Sequence, residues 1–238
     1  MKKAEIGSTI LFYILVVCIF VAATYLGSET TTVVADMIPV EREHTIVIDA
    51  GHGGVDGGAT SCTGVLESGI NLEIAHRLND LFHLLGYDTR MIRTTDCSVY
   101  TEGETIAAKK ISDLKERVRI VNQTENALLL SIHQNTFSDS RYCGAQVFYG
   151  AKGESKILAE GMQASLKQVL NPGSSRSIKK AEGIYLMDHI DCTGILVECG
   201  FLSNPSEEAK LRSPAYQKQL CGVIAAATAN FLDRQTNG

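Results

Sequence analysis

The chain has 238 residues, and its 45% hydrophobic share is enough for one sizeable domain with a single core. Its formal net charge is −5 and its pI is about 5.7. This acidic balance, without a polybasic cluster, excludes nucleic acid as an expected partner.

The N-terminus carries a nearly unbroken apolar run, residues 10–23, preceded by lysines at positions 2 and 3. Residues 24–26 extend the run to about the 17–20 residues that cross a bilayer. The leading lysines predict that the N-terminus stays inside and the rest of the chain is extracytoplasmic. Because the run has no polar face, a buried core helix is disfavoured. Residues 1–27 are therefore predicted to be either a cleaved signal peptide or a retained membrane anchor.

Seven cysteines are scattered along the chain, and Cys18 lies in the apolar run. The other six form an even number, which is compatible with disulfides. However, there is no C-x-x-C pair, and isolated cysteines on apolar faces are more often small core residues. Free thiols are the favoured interpretation.

Beyond a linker at residues 28–44, strand patterns and helix patterns alternate. Strands are predicted at Thr45–Ile48, Tyr87–Ile92, Ala127–Ile132, Gly144–Tyr149, Ile184–Met187 and Gly194–Val197. Helices are predicted at Glu67–Leu85, Ile106–Gln123, Ser155–Leu170 and Pro214–Leu232. This alternation predicts a single α/β domain over residues 45–233, in which a mostly parallel central sheet is flanked by helices on both faces. Residues 234–238 are expected to form a short tail.

Three of the buried strands end close to an ionisable residue, namely His52, His133 and Glu198. The carboxyl ends of parallel strands share one sheet edge, where Glu67 also begins a predicted helix. Each of these residues alone has a plain structural interpretation, such as a hydrogen-bonded turn. Together, two imidazoles and one carboxylate are typical of a catalytic zinc site, and a second carboxylate can serve as its general base.

Two neighbouring polar residues are candidates for supporting roles. Asp49 precedes the glycine loop and could accept a hydrogen bond from a ligand imidazole, or could only cap its own turn. Asn135 follows His133 by two positions and could bind substrate or stabilise its own turn.

Four segments carry a resemblance to a known family. They are I-V-I-D-A-G-H-G-G-V-D-G-G-A from Ile46, L-E-x-x-x-N-L from Leu66, S-I-H-x-N from Ser131 and V-E-x-G-F-L-S-N from Val197. In this order they resemble the zinc-dependent N-acetylmuramoyl-L-alanine amidases of the amidase-3 family. The resemblance covers residues 45–232. Ala50, which replaces a common proline, is a small departure.

The resemblance implies that His52, Glu67 and His133 hold Zn²⁺ and that Glu198 is the catalytic carboxylate. It also implies hydrolysis of the amide between muramic acid and L-alanine in peptidoglycan. The segment from Thr105 to Val118, and the lack of wall-binding repeats, resemble the spore-cortex amidases of the family. Their product is peptide-free muramic acid, which a separate deacetylase helps convert to muramic-δ-lactam.

Several alternatives remain open. The chain could be a general autolysin of vegetative cells, an inactive peptidoglycan-binding homologue, or a zinc peptidase that cuts within the stem peptide. A phosphate-binding role of the G-H-G-G loop is disfavoured because the Walker pattern is absent. A single catalytic domain is also expected to need its membrane tether or an accessory protein for targeting.

Overall fold

The structure is a computed structural model that describes residues 43–236. The predicted signal peptide or anchor, and nearly all of the linker at residues 28–44, lie outside these residues. Within the described range, no helix is both long enough and apolar enough to cross a membrane.

Strands and helices alternate along the described chain. The strands are β1 (Thr45–Ala50), β2 (Asp88–Met91), β3 (Ala127–Asn135), β4 (Gln146–Tyr149), β5 (Lys179–Lys180) and β6 (Thr193–Phe201). The helices are α1 (Glu67–Leu84), α2 (Ile106–Asn122), α3 (Ser155–Val169), α4 (Tyr185–His189), α5 (Pro205–Leu211) and α6 (Pro214–Thr236). The last helix continues beyond the predicted Leu232.

The six strands form one sheet in the order β2-β1-β3-β6-β4-β5. Strands β2, β1, β3 and β6 run parallel to one another, whereas β4 is antiparallel to β6 and parallel to β5. Parallel neighbours need long crossover connections, which α1 and α2 provide. The predicted mostly parallel sheet is confirmed.

The core lies on both faces of the sheet because side chains alternate along each strand. Ile46 and Ile48 belong to a large cluster that also holds buried residues of α1, α3 and α6. Val47 belongs to a smaller cluster on the other face, which holds residues of α2 and α4. Helices therefore cover both faces, as predicted.

Helix α1 shows how sequence sets an element that positions the site. Its apolar residues Ile70, Ile74 and Leu78 recur every four positions and are buried against the sheet. The helix ends before Gly86, whose φ of 77° only glycine adopts without strain. Glu67, the first residue of the helix, is thereby held at the carboxyl edge of the sheet.

The predicted strand at Ile184–Met187 is wrong, because this segment enters the short helix α4. Helical hydrogen bonds run from Asp188 N to Ile184 O and from Ile190 N to Leu186 O. A four-residue apolar run fits either a buried strand or a buried helix, so its periodicity could not decide. The strand that pairs with β4 is instead β5.

The six cysteines within the described residues are unpaired. Cys199 and Cys221 are buried in the larger cluster, where they act as small apolar side chains.

Candidate metal centre at the carboxyl edge of the sheet

The strand ends bring the predicted residues together. His133 of β3 is directly paired with Glu198 of β6, and the loop after β1 carries His52 to the same edge. Glu67 enters from the start of α1. This confirms the convergence that the strand pattern predicted.

Glu67 lies between the two imidazoles. Its Oε2 is 3.3 Å from Nε2 of His52, and its Oε1 is 3.0 Å from Nδ1 of His133. The two rings meet edge to face, with centroids 4.9 Å apart. The three side chains can therefore offer one ligand atom each to a common ion, since these atoms lie within 4.8 Å of one another.

Backbone and amide donors fix the buried Glu67 carboxylate. Oε1 accepts hydrogen bonds from Asn71 Nδ2 at 3.1 Å and from the Gln134 amide at 3.0 Å, and Oε2 accepts one from the Ala59 amide at 2.9 Å. Asn71 lies one helical turn after Glu67, which explains the L-E-x-x-x-N-L spacing. The carboxylate is thus oriented before any ion arrives.

The loop geometry presents His52 at a close approach. His52 itself has a φ of 61°, an uncommon backbone conformation for a residue with a side chain. Gly58, with a φ of 68°, lies so close that an added Cβ would be 2.6 Å from both Glu67 Oε2 and His52 Cδ2. Glycine is needed there for both its backbone angle and its size.

Asp56 is a site residue that the sequence analysis missed. Its Oδ2 lies 3.0 Å from Nδ1 of His52, leaving Nε2 of that imidazole to face Glu67. Its Oδ1 lies 3.0 Å from Nζ of Lys110. The available signal was a carboxylate in a polar loop, four residues after a candidate ligand histidine. Such carboxylates fix the tautomer and orientation of the ring.

Asp49 takes a different role from the predicted ones. In the structure it neither accepts a hydrogen bond from an imidazole nor caps its own turn. One oxygen forms an ion pair with Arg117, and the other accepts a hydrogen bond from Ser131 Oγ at 2.7 Å. Burial alone would raise the pKa of Asp49, but the Arg117 guanidinium outweighs it and holds the pKa below its usual value.

Two buried arginines, also missed from sequence, hold the loop that carries His52. Arg117 donates to the Ala50 carbonyl at 3.1 Å and to the His52 carbonyl at 2.8 Å. Arg93 donates to the Ala50 carbonyl at 2.8 Å and to the Gly51 carbonyl at 3.1 Å. Their guanidiniums replace the partners that a regular strand would give these carbonyls.

Asn135, the other predicted supporting residue, ends β3. Its carbonyl accepts a hydrogen bond from the Leu202 amide at 2.8 Å. It is not among the residues that line the cavity beside the histidines. A role in binding substrate stays a prediction.

Glu198 is partly buried, and its Oε2 is buried without a hydrogen-bond partner among the described residues. Burial is the main reason why its pKa is raised, to about 7, while attraction to His133 opposes this shift. A carboxyl group with a pKa near neutrality can exchange a proton in either direction.

The carboxylates around His52 favour a positive charge. Burial by itself lowers the pKa of His52, but hydrogen bonds and attraction from Glu67 and Asp56 prevail and raise it to about 9. Burial likewise opposes ionisation of Glu67, yet the two histidines lower its pKa well below the usual range. A metal cation bound here would supply the positive charge that the carboxylates of Glu67 and Asp56 stabilise.

The donor set fits zinc. His52, Glu67 and His133 each present one ligand atom within 4.8 Å of the others, close enough for a single ion to contact all three. Imidazole and carboxylate ligands are those that zinc takes in catalytic sites. The unpartnered Glu198 lies beside the group without being needed as a ligand.

A cavity of about 350 Å³ opens next to His52, His133 and Glu198. This volume falls in the range of small-ligand pockets. Its apolar wall consists of Val55, Tyr100, Leu114, Ile184, Leu186 and Leu196. Helix α4, where a strand was predicted, thus contributes part of this wall.

Comparison with known proteins agrees with the geometry. The profile of the Amidase_3 family, N-acetylmuramoyl-L-alanine amidase, matches residues 46–230. The germination-specific N-acetylmuramoyl-L-alanine amidase of Bacillus subtilis is 38% identical over 181 residues, covering 75% of this chain and 76% of that protein. The amidase AmiA of Escherichia coli is 24% identical over 79% of this chain and 76% of that protein.

Solved structures show the same fold. The CwlD amidase of Clostridioides difficile, in complex with the GerS lipoprotein, has a TM-score of 0.76 and 35% identity. That match covers 80% of this chain and 98% of the CwlD chain. The N-acetylmuramoyl-L-alanine amidase of Clostridium difficile 630 has a TM-score of 0.70 and 29% identity, covering 81% of this chain and 98% of that one. The chain belongs to the Amidase_3 family and is an N-acetylmuramoyl-L-alanine amidase, an enzyme of the cell wall whose His52, Glu67 and His133 form a possible metal site.

Proposed function

We propose that this chain removes stem peptides from peptidoglycan by zinc-dependent hydrolysis of the amide between N-acetylmuramic acid and L-alanine. The observation that carries the proposal is the arrangement of His52, Glu67 and His133 around one point, with the unpartnered carboxylate of Glu198 beside it. When bound there, zinc supplies Lewis-acid chemistry, which acidifies water and polarises a carbonyl.

Glu198 has the proton-transfer role in this proposal. Its enclosed carboxylate accepts the proton of the attacking water and later delivers that proton to the amine of the leaving alanine. The buried position of Glu198 keeps its proton affinity high enough for both steps. The chain's other residues orient ligands, since Asp56 holds the His52 ring and Asn71 holds Glu67.

The setting that we propose is the spore cortex, where removal of stem peptides precedes formation of muramic-δ-lactam. Support comes from the similarity to the germination-specific amidase over comparable lengths of both chains. The amidase LytC of Bacillus subtilis matches at 31%, but this chain spans only 36% of its length. A general autolysin of vegetative cells is therefore the second candidate.

Membership of a cell-wall amidase family implies an extracytoplasmic location. Attachment through residues 1–27, as signal peptide or anchor, remains a prediction on residues outside the described range. The complex of the CwlD homologue with a lipoprotein supports an accessory partner for this chain too.

The experiment is to incubate intact cortex or vegetative peptidoglycan with purified, zinc-loaded chain and identify the products by mass spectrometry. Free lactyl carboxylates together with intact stems that begin with alanine are expected. Cuts within the stem would indicate a peptidase, and absence of products with full zinc content would indicate an inactive homologue. His133→Ala, which removes a proposed ligand, should lose both zinc and activity.

A further inference from the structure

The cations that line the cavity differ in how they are paired. Arg117 is saturated by Asp49, Asp113 and two loop carbonyls. Lys110 forms an ion pair with Asp56. Neither can bind another anion without giving up a contact that supports His52 or its loop.

Lys109 lines the same cavity but has no carboxylate partner among the described residues. Its ammonium lies 5.0 Å from the centre of the Tyr100 ring, a cation–π contact that leaves N–H donors available. The side chain is half-buried, and its backbone amide is fixed by the Thr105 carbonyl at 2.9 Å in the first turn of α2. Its position is therefore set by the helix and by the ring.

The surroundings strengthen the attraction of Lys109 for an anion. Tyr100, Leu114 and Ile184 give the cavity an apolar wall, and a charge interacts more strongly where water is displaced by such groups. Of the acidic residues that line the cavity, Asp49, Asp56 and Asp113 are engaged by Arg117 and Lys110. The fourth, Glu198, lies beside His133 at the proposed reaction centre. A bound anion is the partner that Lys109 lacks.

We propose that Lys109 is a specificity-determining residue that binds a free carboxylate of the stem peptide while the amide lies at His52, His133 and Glu198. This inference rests on the proposed function. In the leaving stem peptide, an acidic residue follows the alanine and is joined to the next residue through its side-chain carboxyl group. Its α-carboxylate is therefore free. This carboxylate lies one residue from the scissile bond, so it must fit in the cavity that Lys109 lines together with His52 and His133.

Two synthetic substrates that differ only in this group test the proposal. They are N-acetylmuramoyl-L-alanyl-D-glutamic acid and its α-amide, each with the side-chain carboxyl group capped as a methylamide, so that only the acid carries a free carboxylate. With the zinc-loaded chain, we expect kcat/KM for the acid to exceed that for the amide by about tenfold, as for a charge-assisted hydrogen bond. In Lys109→Gln this preference should vanish, because kcat/KM should fall for the acid and stay unchanged for the amide.

Matched variants separate charge recognition from structural damage. Lys109→Arg should keep the preference for the acid, since it keeps the charge. Lys115→Gln removes an exposed charge from the same helix, away from the cavity, and should leave both rates unchanged. Raising the salt concentration should lower the preference of the unmodified chain.

The proposal is overturned if the chain hydrolyses acid and amide equally, or if Lys109→Gln slows both substrates by the same factor. Failure to hydrolyse either substrate, with release of no lactyl carboxylate from peptidoglycan, would instead overturn the proposed function. The ratio of the two substrates therefore distinguishes the two failures.

Discussion

Gly51 lies directly against the imidazole of His133. A Cβ built on Gly51 would be 2.2 Å from Nε2 and 2.3 Å from Cε1 of that ring, far inside any possible contact. Gly51 therefore makes room for His133 of β3, whose ring lies over the backbone of the loop after β1. One position of the G-H-G-G loop thus links both proposed ligands.

Gly51→Ala should displace the His133 ring, since the added methyl group meets the imidazole itself. We expect metal affinity to fall by at least tenfold and hydrolysis to be lost with it, while the fold persists because the sheet is not interrupted. Zinc titration of the purified variant measures the metal affinity, and circular dichroism measures whether the fold persists. Gly222→Ala is the matched control, because Gly222 is exposed in α6 with open space around it and gains helix propensity of about 0.5–1 kcal/mol. Unchanged zinc affinity in Gly51→Ala would contradict this relationship.

Glu198→Gln keeps the size of the side chain but removes its ability to accept a proton. If Glu198 is the proton acceptor, kcat should fall by about 10²–10⁴-fold while zinc content stays equal to that of the unmodified chain. Zinc analysis and muropeptide turnover on one preparation decide this. Loss of zinc in the variant would make Glu198 a ligand, and unchanged turnover would exclude the role.

Asp56→Asn weakens the hydrogen bond that orients His52, because the amide is a poorer acceptor than the carboxylate. Loss of such a partner typically costs 10–100-fold in metal affinity, and we expect a loss in that range. Competition with a coloured chelator measures it. Asp80→Asn removes one exposed carboxylate from α1 and should leave the affinity unchanged. Equal affinities of the two variants would show that Asp56 does not act through His52.

Much of the fold, and the convergence of His52, Glu67, His133 and Glu198, could be predicted from the sequence. Buried strands such as Leu128–Leu130 have a clear apolar pattern, and the residues that follow strand ends must meet at one edge of a parallel sheet. The short helix α4 could not be predicted, because an apolar run of four residues fits a buried strand and a buried helix equally well.

The supporting residues were harder to find because they come from distant parts of the chain. Arg117 resembles any charged residue of an exposed helix until the fold places its guanidinium against Asp49 and the His52 carbonyl. Asp56 lies in a polar loop, and nothing in the local pattern shows which way its carboxylate points. Partners of this kind depend on tertiary packing, which a local pattern does not contain.

The buried Asp49–Arg117 pair predicts how stability depends on pH. Attraction to Arg117 overcomes the effect of burial, so the folded pKa of Asp49 lies below its value in the unfolded chain. The folded state then binds fewer protons than the unfolded state near that pH. The stabilisation is fully present above the unfolded pKa of about 3.9 and is lost as the pH falls through the folded value.

Asp49→Asn should therefore lower the free energy of unfolding at pH 7 by about 3 kcal/mol, the cost of leaving a buried charge without its partner. Asp113 remains beside Arg117, which keeps the loss near the low end of the usual range. The difference between the variant and the unmodified chain should begin to shrink below about pH 4 and continue to shrink towards the lower folded pKa of Asp49, because protonation then removes the charge that the variant also lacks. Urea unfolding of the metal-free chains between pH 7 and pH 3 measures this. Glu116→Gln, which removes the exposed pair with Arg119, should show no such difference at any pH, since exposed pairs contribute little. A difference for Asp49→Asn that stays constant down to pH 3 would show that lost packing, and not the ion pair, accounts for the change.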